Sequence, residues 1–247
     1  MDRLVYVAMT GAKHTMEQQA VVAHNLANAS TTGFKAEMAT FRAVPTLAAG
    51  MPTRSYVVDA TVGADFSEGP IIQTGNPLDI AVKGRGWIAV QGPDGREAYT
   101  RDGGLTLNPN GILQTHNGLN VLGEGGSITV PPNSTVAIAD DGTVSAIPTD
   151  GVPNAVAVLG RIKLVNPPES NLERRGDGLF VLKDGQQALP PDANVQITSG
   201  ALEGSNVSSV EMLVEMIAHA RQFETQVRMM QTADQAARGW SQVMNLA

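Results

Sequence analysis

Apolar residues recur at alternating steps of four and three along both ends of this chain, and few folds can satisfy two such stripes at once. Near the N-terminus the stripe runs Val5, Met9, Ala12, Met16, Gln19, Ala23, Leu26. It covers 21 residues in six steps, or 3.5 per step, the spacing of helices that wind around a partner. Gln19 is its one polar member. At the other end Val210, Leu213, Ile217, Ala220, Phe223, Val227, Met230, Ala233, Ala237, Trp240 and Met244 span 34 residues in ten steps, or 3.4 per step. A helix from 208 to 245 would be about 55 Å long at 1.5 Å per residue. So long a stripe calls for a partner of similar length. The expectation is that the terminal helices pair with each other and with those of neighbouring subunits.

Helix punctuation supports this. Asp2 is a candidate N-cap, its carboxylate accepting a free backbone N–H at the positive helix end. Ser208 and Glu211 form the S-x-x-E capping box, and Val207 and Met212 sit where a hydrophobic staple packs. Gly33 is expected to stop the first helix, since glycine enters the left-handed conformation cheaply. Gly11 is a flaw worth about 1 kcal/mol against alanine, which close approach of another backbone would justify. Glu224 and Arg228 are spaced as a supporting i,i+4 pair.

Between the helices the period changes. Pro45, Pro52, Pro70 and Pro77 with Gly50, Gly63, Gly69 and Gly75 suggest an extended connector carrying a few short strands over 41–77. From Leu78 to Thr198 the pattern is short strands parted by turn chemistry. Asp102-Gly-Gly104, Asn108-Pro-Asn-Gly111, Asn117-Gly118 and Asp141-Gly142 are the turns. This suits an antiparallel sandwich or open barrel better than a parallel sheet. The fold class expected is α+β: long N- and C-terminal helices pairing as a coiled-coil-like core, with a central all-β domain of short antiparallel strands. The segments are 1–40, 41–77, 78–200 and 201–247.

Composition narrows the function. A net charge of −7 and 4% aromatic residues argue against nucleic acid as the main partner. Cysteine is absent, which removes disulfide and thiolate chemistry. The apolar run near the start, Leu4 to Met9, is too short for a leader peptide or a membrane span. A chain of this kind acting outside the cytoplasm is expected to leave by a route without a cleaved signal.

The sequence offers little for catalysis. His14 and His24 are ten residues apart rather than at the i,i+4 spacing of a helical zinc site, and no H-E-x-x-H occurs. Asp140-Asp-Gly142 and Asp177-Gly178 lack the spaced carboxylates of a calcium loop. The Gly84-Arg-Gly86 and Gly123-Glu-Gly-Gly126 runs lack a phosphate-loop lysine, and no G-x-S-x-G elbow is present. A pair of glycosidase carboxylates could lie anywhere, and Asp79, Asp102 and Asp177 are its candidates. With Trp87 and Trp240 the only tryptophans, a sugar cleft would be thinly furnished. No enzyme activity, metal or cofactor is expected.

The string Asn25-Leu-Ala-Asn-Ala-Ser-Thr-Thr-Gly-Phe-Lys35 resembles the N-terminal signature of the axial proteins of the bacterial flagellum, the rod, hook and hook-associated subunits. Glu203-Gly-Ser-Asn-Val207, Met212-Leu-Val-Glu-Met-Ile217 and Arg221-Gln-Phe-Glu224 resemble the matching C-terminal signature. Asp79-Ile-Ala-Val-Lys-Gly-Arg-Gly-Trp87 and Ala98-Tyr-Thr-Arg-Asp-Gly103 resemble the β domain of the rod and hook group, so the likeness spans the chain. Arg42-Ala-Val-Pro45 and Met216-Ile-Ala-His-Ala-Arg-Gln-Phe-Glu224 resemble proximal-rod members. Distal-rod members usually carry a longer segment before the position of Asp79. Thr32 departs from the Pro or Asn often found before the signature glycine.

The resemblance implies a structural subunit of the basal-body rod that transmits torque in the periplasm, exported unfolded by the flagellar apparatus. Its partners would be copies of itself, neighbouring proximal and distal rod proteins and the export apparatus, with no nucleic acid and no direct membrane insertion. The expected assembly residues are Met9, Met16, Leu26, Asn25, Asn28, Gly33, Phe34, Asn206, Val210, Leu213, Ile217, Phe223 and Val227. For the asparagines, bonds to a neighbouring backbone and simple turn or cap formation remain alternatives. Two other expectations stay open beside this one: a distal-rod or hook homologue, and a periplasmic carbohydrate-acting or carbohydrate-binding β protein.

Overall fold

The computed structural model describes residues 2–45, 55–148, 156–183 and 188–244. The chain divides into two compact units: Met1–Ala29, Ala36–Asp65 and Val207–Ala247 form one, Ser30–Lys35 and Phe66–Asn206 the other. The class is α+β, with a helix at each end and antiparallel strands between.

The helical unit contains α1, Asp2–Ala27, and α2, Ser209–Met244, packed along each other. The 36 residues of α2 give it a length of about 54 Å. Ser208 caps it: its carbonyl accepts the Met212 N–H at 3.0 Å, and its hydroxyl accepts the Glu211 N–H at 3.4 Å. Along α1 a covered line runs Val5, Ala8, Ala12, Thr15, Gln19, Val22 and Leu26, with His14 and Asn25 buried beside it. On α2 a line runs Met212, Met216, His219, Phe223, Gln226, Met230 and Ala233, with Ala220 and Val227 partly covered beside it. Both lines step by three and four.

The seam of α1 is therefore rotated from the one expected. It keeps Val5, Ala12, Gln19 and Leu26 but takes Ala8, Thr15 and Val22 in place of Met9, Met16 and Ala23. The two choices flank the same line of residues. Small side chains on the chosen flank let the helices come close, and a Cβ added at Gly11 would lie 3.0 Å from the Gln226 amide. The ends of the stripes hold further differences. Helix α1 ends at Ala27 rather than at Gly33, because Asn28 turns its side-chain amide back onto the His24 carbonyl at 2.9 Å. Glu224 and Arg228 lie exposed without an ion pair between them; the i,i+4 pair on α2 is Asp234–Arg238 at 2.7 Å. The Asp2 cap and the far end of the α2 stripe, Ala237, Trp240 and Met244, fall on side chains outside those described.

Part of the stretch expected to be extended folds back on itself. Strands β1, Glu37–Pro45, and β2, Ser55–Ala64, form an antiparallel hairpin with a bulge between Thr40 and Phe41.

In the β unit every described pairing is antiparallel, and the strands are divided among several small sheets. The largest has five strands, ordered Leu164–Val165, Trp87–Gln91, Glu97–Thr100, Phe180–Leu182, Leu172–Arg174. A three-stranded sheet joins Ser134–Ile138, Thr143–Pro148 and Ala157–Arg161. The expected turns close hairpins: Gly111 and Gly142 take φ of 77° and 86°, and Asp141 accepts the Thr143 N–H at 3.0 Å. Asp102-Gly-Gly104 does more than turn the chain. A Cβ at Gly103 would fall 1.7 Å from the Ile80 carbonyl oxygen, so only glycine lets these backbones meet. One aliphatic core joins most of the sheets, with Ile80, Ile88, Val90, Leu113, Val121, Val144 and Ile197 fully buried.

Candidate functional site

The expected assembly residues fall into three groups. Met9, Met16, Val210, Leu213 and Ile217 are exposed, and Tyr6 and Val214 are exposed with them. On α1, Ala20, Ala23 and Ala27 extend the open flank. On the first half of α2, Met212 and Met216 are on the covered side while Val210, Leu213, Val214 and Ile217 are not. That half of the helix is thus apolar on two faces and uses one of them inside this chain. Leu26, Phe223 and Val227 form the second group, partly covered within the helical unit.

The third group is the signature segment. Asn25 is buried, and its amide pairs with the backbone of Glu37 at both ends: Nδ2 donates to the carbonyl at 2.9 Å and Oδ1 accepts the N–H at 2.8 Å. His24 Nδ1 stands 2.8 Å from Glu37 Oε2. Asn25 thereby stands in for a strand neighbour at the start of β1.

Residues 30–35 belong to the β unit, where they form a clasp. Gly33 has φ of +66° and donates its N–H to the Glu203 carbonyl at 2.8 Å. A Cβ there would overlap the Arg101–Asp102 peptide at 2.3 Å. Thr32 donates its hydroxyl to Asp102 at 2.8 Å. The buried Phe34 ring carries the Arg174 guanidinium 4.7 Å above its centroid, and Arg174 Nη1 reaches the Lys35 carbonyl at 3.0 Å. Asn206 donates its amide to Ser67.

Lys35 completes the clasp as a buried cation. Its Nζ donates to Glu203 Oε1 at 2.7 Å and to the Ser67 carbonyl at 2.6 Å. Arg101 Nη1 reaches Glu203 Oε2 at 2.9 Å, and the Gly69 N–H also donates to Oε1. Lys35, Arg101 and Glu203 are each more than nine-tenths buried. Burial pulls the Lys35 pKa below its usual 10.5, the Arg101 charge adds to that, and Glu203 and the exposed Glu68 oppose it. Taking one partner away from such a cluster leaves uncompensated charge in the interior.

Lys35 and Glu203 stand inside the quoted signature strings, and Arg101 stands in the β string. Nothing in a linear sequence separates a buried charge from a solvated one, so the sequence alone does not distinguish these three. The one available signal was the positioning glycines around them, Gly33, Gly69 and Gly103.

The acids weighed for catalysis are turn acceptors. Asp79 takes the Thr74 hydroxyl at 2.6 Å and the Asn76 amide at 2.9 Å. Asp102 takes Thr32 and the Gly104 N–H, and Asp177 takes the Leu179 N–H. Among the described residues no group of three or more His, Asp or Glu could hold a metal ion. No helix there is long and apolar enough to cross a membrane.

Three family profiles match the chain in order. They are a flagella basal body rod protein family over residues 5–35, the flagellar hook protein FlgE/F/G D1 domain over 81–146, and the flagellar basal body rod FlgEFG protein C-terminal family over 198–239. The chain is 44% identical to the flagellar basal-body rod protein FlgF of Salmonella typhimurium across the whole of both. It is 37% identical to that of Caulobacter vibrioides over 96% of each chain. A flagellar basal-body rod protein FlgG from Buchnera aphidicola is 32% identical over 97% of this chain and 98% of its own. The same segments that carry the helix stripes, the clasp and the β core carry these matches, and the chain belongs to the flagellar basal-body rod protein family, on its FlgF branch.

Proposed function

We propose that this chain is a structural subunit of the flagellar rod that holds its neighbours through the apolar helix faces its own fold leaves open. The observation that carries the reading is the two-sided first half of α2, where Val210, Leu213, Val214 and Ile217 stay exposed although the opposite side is covered. Met9 and Met16 offer a matching flank on α1. Burying a valine, leucine or isoleucine contributes about 1.5–3 kcal/mol each, so a few per contact suffice when every subunit repeats them.

The occupants are further copies of this chain and neighbouring rod proteins of both the proximal and distal rod, and helices wound as a coiled coil carry torque along the axis. Leu26, Phe223 and Val227 serve by fixing the helix pair. Asn25 and Asn28 serve by fixing the end of α1 within the helical unit, and Gly33, Phe34 and Asn206 by holding the clasp within the β unit. In this reading the protein works in the periplasm, reaches it through the flagellar export apparatus without a cleaved signal, and performs no catalysis. Higher identity to the Salmonella and Caulobacter FlgF proteins than to the Buchnera FlgG protein favours a proximal position.

The test is Leu213→Asp, with Ile217→Asp as its companion. Each purified variant should keep the parent's circular dichroism and unfolding midpoint, because the side chain is exposed. Neither should enter rods, and cells carrying them should not swim. Normal incorporation of both variants would defeat the reading.

A further inference from the structure

A cavity of about 420 Å³ opens in the β unit, within the range of about 300–1,000 Å³ typical of ligand sites. Trp87 and Phe66 line it, edge to face with centroids 5.9 Å apart. Pro167 and Pro168 complete the apolar wall.

Its polar groups have bonding capacity left over. Arg101, 4% exposed, lies with its guanidinium 5.3 Å from the Trp87 ring centroid. Its two terminal nitrogens are taken by Glu203 and by the Gly84 carbonyl, but its Nε is buried and has no acceptor among the described residues. A buried donor left without an acceptor is uncommon in a finished fold. Arg85, exposed, and Asn166, exposed, line the same cavity, and neither has a hydrogen bond or ion pair among the described residues. Against two arginines the lining holds one acid, Glu169. Glu203 is spent on Lys35, Arg101 and the Gly69 N–H. Glu68, outside the lining, acts on Lys35.

We infer that this cavity receives a glutamate or aspartate side chain, flanked by an aliphatic residue, from a protein partner. The carboxylate is held by Arg85 and the Asn166 amide, over the field of Arg101, and the aliphatic neighbour lies on Trp87 and Phe66. Arginine presents paired donors that match a carboxylate, and the apolar wall gives the flanking residue somewhere to bury. This contact lies within the β unit and does not depend on the helix faces, so its failure leaves the assembly reading standing.

The chain has two tryptophans, so Trp240→Phe in the full-length protein makes Trp87 the sole indole reporter. Acetyl-Leu-Glu-Leu-amide, its Gln counterpart and sodium acetate are each titrated while Trp87 emission is followed. The Glu peptide should give a saturable change. The Gln peptide should bind at least about tenfold more weakly, the loss that goes with one charge-assisted hydrogen bond, and acetate should bind at least about tenfold more weakly because it has no aliphatic flank to bury. Arg85→Glu should abolish the response and Asn166→Ala should weaken it severalfold, with unliganded emission unchanged in both as the check on folding. The inference is overturned by equal binding of the Gln peptide, which makes the cavity a simple apolar groove. Acetate as strong as the peptide overturns it too, as a free-anion site. So does an unaltered Arg85→Glu titration, or no saturable response to the Glu peptide up to about 5 mM.

Discussion

The β unit and the helical unit dispose of their apolar residues in opposite ways. In the β unit Ile80, Ile88, Leu113, Val121 and Ile197 reach essentially zero exposure in one aliphatic core. In the helical unit, over the first half of α2, Val210, Leu213, Val214 and Ile217 remain between 49% and 71% exposed. Folding satisfies the first set and leaves the second as surface. A chain that polymerises needs both: a part whose stability owes nothing to neighbours, and a part whose burial is deferred until neighbours arrive. The cohesion of the β unit rests on aliphatic packing, on the ring cluster of Phe66, Trp87 and Phe180, and on one buried charge cluster.

The largest effect should come from that cluster. Glu203→Ala leaves Lys35 and Arg101 buried without their shared carboxylate, and the β unit should lose about 3–5 kcal/mol. Urea unfolding followed by Trp87 emission in a Trp240→Phe background reads it, and Glu203→Gln should recover part of the loss because it keeps an acceptor. An unchanged midpoint for Glu203→Ala would mean that the clasp is decoration. Next comes a matched pair. Leu113→Ala opens a cavity in a fully buried site and should cost about 2–5 kcal/mol. Val214→Ala, at an exposed helical site, should stay within about 0.5 kcal/mol. Equal losses from the two would erase the contrast between the units.

The same contrast explains what could be seen in the sequence. Heptad spacing announced two long helices, since Val5, Ala12, Gln19 and Leu26 do lie on the covered line. It missed the rotation of the seam because Met9 and Ala8 are both apolar, and hydrophobicity alone prefers the larger. Packing decides otherwise: Ala8, Ala12 and Thr15 admit a close neighbour, and methionines on that flank would hold it off. The turns at Asn108–Gly111 and Asp141–Gly142 were legible because their chemistry is local. The division into small sheets was not, since strand pairing is settled by contacts far apart in the chain. Gly33 was marked as a glycine with a purpose, and the purpose differed. Asn28 ends the helix, and Gly33 admits the Arg101–Asp102 backbone.

That second purpose can be measured. Gly33→Ala must place a side chain at φ +66° and also within 2.3 Å of the Arg101–Asp102 peptide, where only backbone movement makes room. Gly118→Ala faces the conformational cost alone, since its φ is +78° and nothing lies within 4 Å. The expected losses are about 1–3 kcal/mol or more for Gly33 and about 1 kcal/mol for Gly118. Unfolding midpoints of the two variants isolate the part due to the clasp. If Gly33→Ala loses no more than Gly118→Ala, the loop docks less tightly than its geometry requires.

The smallest effect concerns a turn of the β unit and is visible only in its pH dependence. Asp141 accepts the Thr143 N–H at 3.0 Å and the Thr143 hydroxyl at 2.8 Å. These bonds hold its pKa below the usual 3.8, with Arg161 adding to the shift. A carboxyl whose native pKa is depressed binds its proton more weakly folded than unfolded. Its contribution is therefore complete above pH 3.8 and is lost as the pH falls through the lower native value. Asp141→Asn keeps the shape and removes the charge, so its stability should fall slightly below the parent's at pH 7 and converge on it toward pH 2. Thermal unfolding across that range checks the sign. A gap that stays constant with pH would show that the turn owes its stability to shape and not to the ionised carboxylate.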